Sequence, residues 1–104
     1  MIKHIKVDVY CHWNSTSPSY RVYVDNDMLT ERSFGWPGYQ VFIRENIICN
    51  LDPGMHTIRV ENCSPAGVRE LSSFEIKNLT VENAPAAIHP NYTPTTEQIA
   101  FLVE

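Results

Sequence analysis

Along much of this chain, apolar and polar side chains alternate with a period of two residues. In KHIKVDVYCH (residues 3–12) the aliphatic side chains and the cysteine share one face, while Lys6, Asp8, Tyr10 and His12 share the other. The alternation returns in YRVYV, VFIRENIICNL and MHTIRVEN. Because successive side chains of a strand point to opposite faces, this period is typical of half-buried β-strands.

Turn residues separate these runs. NSTSPS (14–19), GWPGY (35–39) and DPG (52–54) are rich in proline, glycine, serine and asparagine, which are typical turn formers. DPG predicts a hairpin between the strands on either side of it. Roughly seven or eight short strands with turn signals between them predict an all-β chain, an antiparallel β-sandwich of jelly-roll-like type.

Two places depart from simple alternation. Glu45 is an acid on an otherwise apolar stripe, and a short helical turn over FIREN (42–46) would explain it as well as a strand would. In SFEIKNLTVEN (73–83) the two apolar pairs are out of phase with each other. A β-bulge near Asn78 would return both pairs to one face.

The chain of 104 residues fits one core, which the sequence predicts over residues 1–83. Residues 84–104 contain three prolines and then the apolar run IAFLV, so we expect an extended C-terminal arm. The apolar end has two interpretations, a last strand of the same sandwich or an assembly arm that adds a strand to a neighbouring subunit. The assembly side chains would be Ile99, Phe101, Leu102 and Val103.

Charge and motifs exclude several functions. Eight basic and twelve acidic residues give a formal net charge of -4, and no basic face is available to neutralise phosphates, so nucleic acid is not an expected partner. MIKHIKVDVYCHW resembles neither a signal peptide nor a membrane span. We therefore expect a protein made in the cytoplasm, with no secretion signal and no membrane partner.

Catalytic signatures are also missing from the sequence. The histidines are dispersed, and no nucleophile, zinc or phosphate-loop motif is present. The cysteines at 11, 49 and 63 lack the spacing of a zinc site, which favours buried reduced thiols. We expect a protein that is not an enzyme.

The acidic stretch DND (25–27) is the one candidate metal site. Asp25 and Asp27 offer carboxylate oxygens, but calcium takes six to eight oxygen ligands, so other loops would have to supply most of them. The alternative is a hairpin turn, in which Asn and Asp tolerate the left-handed conformation. A turn centred on Asn26 and Asp27 would pair Val24 with Leu29, and a three-residue loop would pair Arg21 with Glu31.

Aromatic residues suggest a second kind of site. Trp13, Trp36 and Tyr39 are candidates for stacking on the sugar rings of a glycan, or they cap one end of the core. Tyr10 and Tyr23 lie on the outward faces of their strands, where they extend such a platform or lie under a subunit contact.

Three segments carry a resemblance to known proteins: YRVYVDNDMLTERSF, LDPGMHTIRVEN and FEIKNLTVEN. Over residues 5–83 the chain resembles small β-sandwich proteins of tailed cyanobacterial phages and, more weakly, β-sandwich carbohydrate-binding modules. The first resemblance implies a virion component, and the second implies a sugar ligand, with Asp25 and Asp27 in the place of calcium-binding loop acids. Asn26 replaces the glycine that usually follows the first acid in those modules.

Two functional hypotheses follow. The first is a non-catalytic structural or interaction protein of a virion, as a capsid decoration or tail-associated protein that forms homo-oligomers. The alternative is a carbohydrate-binding module, with or without calcium.

Overall fold

A computed structural model of the chain describes residues 1–12, 17–33, 42–88 and 97–103. It confirms an all-β antiparallel sandwich. Within these residues the strands are β1 (Ile2–His12), β2 (Ser19–Val24), β3 (Asp27–Ser33), β4 (Phe42–Asn50), β5 (Gly54–Asn62), β6 (Ser73–Val81), β7 (Ala84–Pro85), β8 (Ala87–Ile88) and β9 (Gln98–Val103). A 3₁₀ turn at Arg69–Leu71 precedes β6.

The strands form two sheets. In the part of the chain that the structure describes, sheet A has the order β4-β1-β6-β7 and sheet B the order β3-β2-β5-β9-β8. The aliphatic side chains of β1 identified by alternation, Ile5, Val7 and Val9, are fully buried between the sheets. They pack with Tyr20 and Ile58 of sheet B in one hydrophobic cluster. The alternation therefore predicted the core residues of β1 correctly.

The hairpin predicted at DPG is wrong. β4 pairs with β1 in sheet A, whereas β5 pairs with β2 and β9 in sheet B. The turn residues, with Gly54 at φ 132°, instead carry the chain from one sheet to the other. Each of the two strands has an apolar face, and both faces are buried by placing the strands in opposite sheets. Local turn chemistry does not distinguish this connection from a hairpin.

Glu45 belongs to a continuous strand, so the helical alternative at FIREN is wrong. Its side chain points between the sheets and is 2% exposed. The hydroxyl of Tyr20 donates a hydrogen bond to its carboxylate over 2.8 Å, and the guanidinium of Arg32 forms an ion pair with the same oxygen. A buried carboxylate needs such partners, which explains how an acid occupies an apolar stripe.

The bulge expected near Asn78 is confirmed. The register of β1 against β6 shifts between Lys6 and Asp8, and Asn78 has a φ of 57°. As a result Phe74, Ile76 and Leu79 are all buried, although they are out of phase in the sequence.

The C-terminal segment is part of the sandwich. β9 lies between β5 and β8, and Phe101 is fully buried within the same chain. Ile99 and Val103 are also buried, while Leu102 remains 36% exposed. The expectation of an arm that docks these side chains on a neighbour is therefore corrected in favour of the last-strand interpretation. The physical reason is that sheet B needs these apolar side chains to fill its own inner face.

Candidate functional site

The acidic stretch forms a two-residue hairpin turn. Asp25 and Asn26 have φ values of 52° and 75°, and Val24 pairs with Asp27. The turn centre is thus one residue earlier than the first of the two expected registers. A register shift follows between Val22 and Tyr23. Left-handed dihedrals at both central residues are those of a type I′ turn, which suits the twist of a hairpin.

The second expected pairing is present, although a bulge produces it and not a longer loop. Arg21 lies opposite Glu31, and its Nε is 3.1 Å from the Glu31 carboxylate. Leu29 is the extra residue in β3, because Thr30 pairs with Val22 and Met28 with Tyr23.

Asp25 uses its carboxylate inside the fold. One oxygen accepts a hydrogen bond from the Thr57 backbone N–H at 2.9 Å, and the other contacts Nδ1 of His56. Asp27 begins β3 with an exposed side chain. No group of three or more His, Cys, Asp or Glu side chains that could hold a metal occurs among the described residues. The calcium site at Asp25 and Asp27 stays a prediction.

The expected stacking residues Trp13, Trp36 and Tyr39 lie outside the described residues. Tyr10 and Tyr23 lie on strands of different sheets, so they do not form one platform. The Tyr23 ring is covered by the guanidinium of Arg59 at 4.0 Å from its centroid. Tyr10 instead stacks on Phe42, with ring centroids 5.0 Å apart and planes inclined by 28°.

The outer face of sheet A carries ordered rows of side chains. Its side chains form rows across β4, β1 and β6, because residues that are paired in register lie side by side. From the C-terminal end of β1 to its N-terminal end, the rows are Phe42–Tyr10–Glu75, Arg44–Asp8–Lys77, Asn46–Lys6–Thr80 and Ile48–His4. The last row has members on β4 and β1 only. An aromatic row, a charged row and a polar row thus follow one another.

Asp8 is a buried charge in the middle of this face. It is only 2% exposed because its neighbours cover it. Arg44 donates to both of its oxygens at 2.8 and 3.3 Å, and the Asn78 amide donates at 3.0 Å. The hydrogen bond from Arg44 lowers the pKa of Asp8 against the opposing effect of burial, so the carboxylate stays ionised. It fixes Arg44 and Asn78 in place.

A groove of about 240 Å³ lies beside this charge, lined by Lys6, Arg44, Asn78, Thr80 and Asn83. The ammonium group of Lys6 donates to the Asn83 side-chain oxygen at 2.9 Å across the groove. The Thr80 hydroxyl is buried and finds no hydrogen-bond partner among the described residues. Leaving such a group unpaired costs about 1–3 kcal/mol. This groove, which we call the Lys6 groove, combines donors, acceptors and an unused hydroxyl.

One feature of the sequence is related to the Lys6 groove, although it did not reveal the groove. The phase break at Asn78 predicted a bulge, and the bulge turns the Asn78 amide toward Asp8. The pairing of β1 with both β4 and β6 is what assembles the groove. A pairing partner cannot be read from alternation alone, since every half-buried strand in the chain has the same pattern.

The cysteines are free thiols in the described chain. Burial raises the pKa of Cys11 to about 12, and burial also raises the pKa values of Cys49 and Cys63. Since the thiolate is the nucleophile, these environments do not activate any of the three.

Among the described residues, no helical segment has the length and hydropathy of a membrane span. Comparisons with protein-family models, with curated proteins and with solved structures found no match to this chain.

Proposed function

We propose that the protein is a non-catalytic structural and interaction protein that associates with copies of itself, as a component of a tailed-phage virion. The main support for this proposal is the position of β4 at the edge of sheet A. In the described residues β4 pairs on one side only, with β1. No other described strand pairs with its second side, where its nine residues present a row of backbone N–H and C=O groups, the surface used when a strand from another chain is added.

An apolar cluster at the end of this edge supports the same conclusion. Ile48 of β4 is 71% exposed, and Ile2 and Met1 are 64% and 68% exposed. Ile48 pairs with His4 and Ile2 pairs with Asn50, so Ile2 and Ile48 occupy diagonal positions on the outer face. Exposed aliphatic side chains beside an open strand edge favour a protein contact.

A two-fold pairing of β4 with β4 of a second copy satisfies both features. Antiparallel strands related by a two-fold axis form an isologous interface, in which each copy offers the same surface. The edge hydrogen bonds are completed, and Ile48 of each copy gains a cross-strand neighbour that covers part of its exposed surface. Such a unit serves the repeated contacts of a particle shell or tail. The resemblance of residues 5–83 to small sandwich proteins of tailed phages supports this setting.

Sedimentation equilibrium over a wide concentration range tests the association. We expect a dimer or larger species, and we expect Ile48→Lys to weaken association at least tenfold because it puts a charge into the contact. Met55→Lys is the matched control, since Met55 is 44% exposed and lies on sheet B. A wild-type chain that stays monomeric, or equal effects of the two variants, would overturn the proposal.

The virion setting has its own test. Peptides of this chain should appear in mass spectra of purified particles of the phage that encodes it. Their absence from particles that contain the other structural proteins removes the virion role, whatever the oligomeric state.

A further inference from the structure

The outer face of sheet A also has features of a ligand-binding surface, and these do not depend on pairing at the β4 edge. The Tyr10–Phe42 stack lies one row from the Asp8–Arg44 pair, and the Lys6 groove begins in that next row. Equivalent positions two residues apart along a strand are separated by about 6.6 Å. An aromatic surface and a polar groove therefore lie within reach of one extended ligand.

The aromatic part suits a sugar ring. The faces of aromatic rings carry partial negative charge, and they attract the weakly positive C–H groups that a sugar ring presents on its flat side. Phe42 has no polar atom, and Tyr10 is stacked against it with the Lys77 ammonium 5.0 Å from the Tyr10 centroid. Phe42 and Lys77 thus cover opposite faces of the Tyr10 ring, so a sugar ring stacks on Phe42, which Tyr10 supports from the other side.

The groove suits hydroxyl groups. Asn78 and Asn83 carry amides that both donate and accept, and the Thr80 hydroxyl can do the same. Thr80 is also the buried oxygen without a partner among the described residues. Lys6 is its cross-strand neighbour, and a long side chain such as Lys6 can move to admit a ligand hydroxyl. Binding then pairs an oxygen that the free protein leaves unpaired.

The charges select an anion. The guanidinium of Arg44 is neutralised by Asp8, and Lys77 lies 3.6 Å from the Glu75 carboxylate. Lys6, in contrast, is held by the neutral Asn83 side chain. The groove therefore carries a positive charge on a chain whose net charge is -4. A carboxylate that reaches the Lys6 ammonium forms a charge-assisted hydrogen bond.

We infer that the outer face of sheet A binds an acidic oligosaccharide, with Phe42 stacking on one sugar ring, Tyr10 packed behind Phe42, and Lys6 pairing with the carboxylate of the next sugar. This site uses none of Trp13, Trp36 and Tyr39. It also needs no metal ion.

Isothermal titration calorimetry at low salt tests the inference, with a galacturonic acid hexamer and a neutral galactose hexamer as probes. We expect the acidic hexamer to bind at least tenfold more tightly than the neutral one. Lys6→Met should abolish this preference. Lys3→Met is the matched control, because Lys3 is on the same strand and loses the same charge but lies on the opposite face by alternation. It should bind like the wild type.

Thr80→Val separates binding from folding. This variant removes the unpartnered hydroxyl, so its melting temperature should equal or exceed that of the wild type, while its affinity for the acidic hexamer falls several-fold. Absence of binding by the wild type, equal affinity for both hexamers, or an equal loss in Lys3→Met and Lys6→Met would each overturn the inference. An unchanged affinity in Thr80→Val would show that the Lys6 groove does not contact the ligand, and this result would also overturn the inference.

Discussion

The imidazole of His56 lies against the carboxylate of Asp25 and fastens the β2–β3 turn to β5. Its Nδ1 faces the Asp25 carboxylate, and its Nε2 is 2.6 Å from the Asp52 carbonyl oxygen. Both ring nitrogens thus face acceptors, an arrangement that only the doubly protonated imidazolium satisfies. The N–H and C=O groups of Thr57 also bond to Asp25, so that this turn is held at several atoms.

This contact predicts a pH-dependent stability. Burial tends to lower the pKa of His56, but the hydrogen bonds and charges of Asp52 and Asp25 outweigh it, and the pKa lies above the ordinary value of 6.5. The stabilisation is therefore complete below the unfolded-state pKa and is lost as the pH rises through the higher folded-state pKa. The melting temperature should fall across this window.

The variant His56→Gln should flatten the alkaline side of that profile, and His12→Gln should leave it unchanged, because His12 is exposed at the end of β1. Melting curves from mildly acidic to mildly alkaline pH measure both variants. The same slope in His56→Gln and wild type would show that another group is responsible.

The buried acid between the sheets gives a second prediction. Arg32→Met leaves the Glu45 carboxylate, which is 2% exposed, without its cation and should lower the free energy of unfolding by about 3 kcal/mol. Arg21→Met is the control, because both side chains of the Arg21–Glu31 pair are well exposed, and it should change stability by less than about 1 kcal/mol. Urea denaturation measures the free energy of unfolding of both variants. Equal losses in the two would show that the burial of Glu45 does not make its ion pair more important.

The position of β9 gives a third prediction. Phe101→Ala should cost about 3–5 kcal/mol, since the side chain is fully buried, whereas Leu102→Ala on the outer face should cost about 1 kcal/mol or less. Removing residues 98–104 should prevent cooperative folding, because it takes a strand out of sheet B. Circular dichroism with thermal melting tests all three chains. A truncated chain that melts cooperatively near the wild-type temperature would restore the arm.

Calcium gives a fourth prediction. The oxygens of Asp25 already contact His56 and Thr57. The melting temperature should therefore be the same in millimolar calcium as in the presence of a chelator. A rise in melting temperature with calcium that disappears in Asp27→Asn would contradict this expectation and support the calcium site predicted from the sequence.

Alternation along the chain predicted most of the strands and their buried faces. The period of two identified Ile5, Val7 and Val9 as core residues, and the phase break in β6 located the bulge at Asn78. These properties are local, because each depends on the direction of neighbouring side chains within one strand. The turn at Asp25 was equally local, although its centre was misplaced by one residue.

Which strands pair with each other depends on the packing of the whole chain. DPG connects two sheets and IAFLV fills sheet B, because burying every apolar face at once is a condition on the whole chain. The same condition brings Lys6 of β1, Arg44 of β4 and Asn78 of β6 together. Alternation states that a strand has a buried face but not which strand lies beside it, so the groove exists only at the level of the folded sheet.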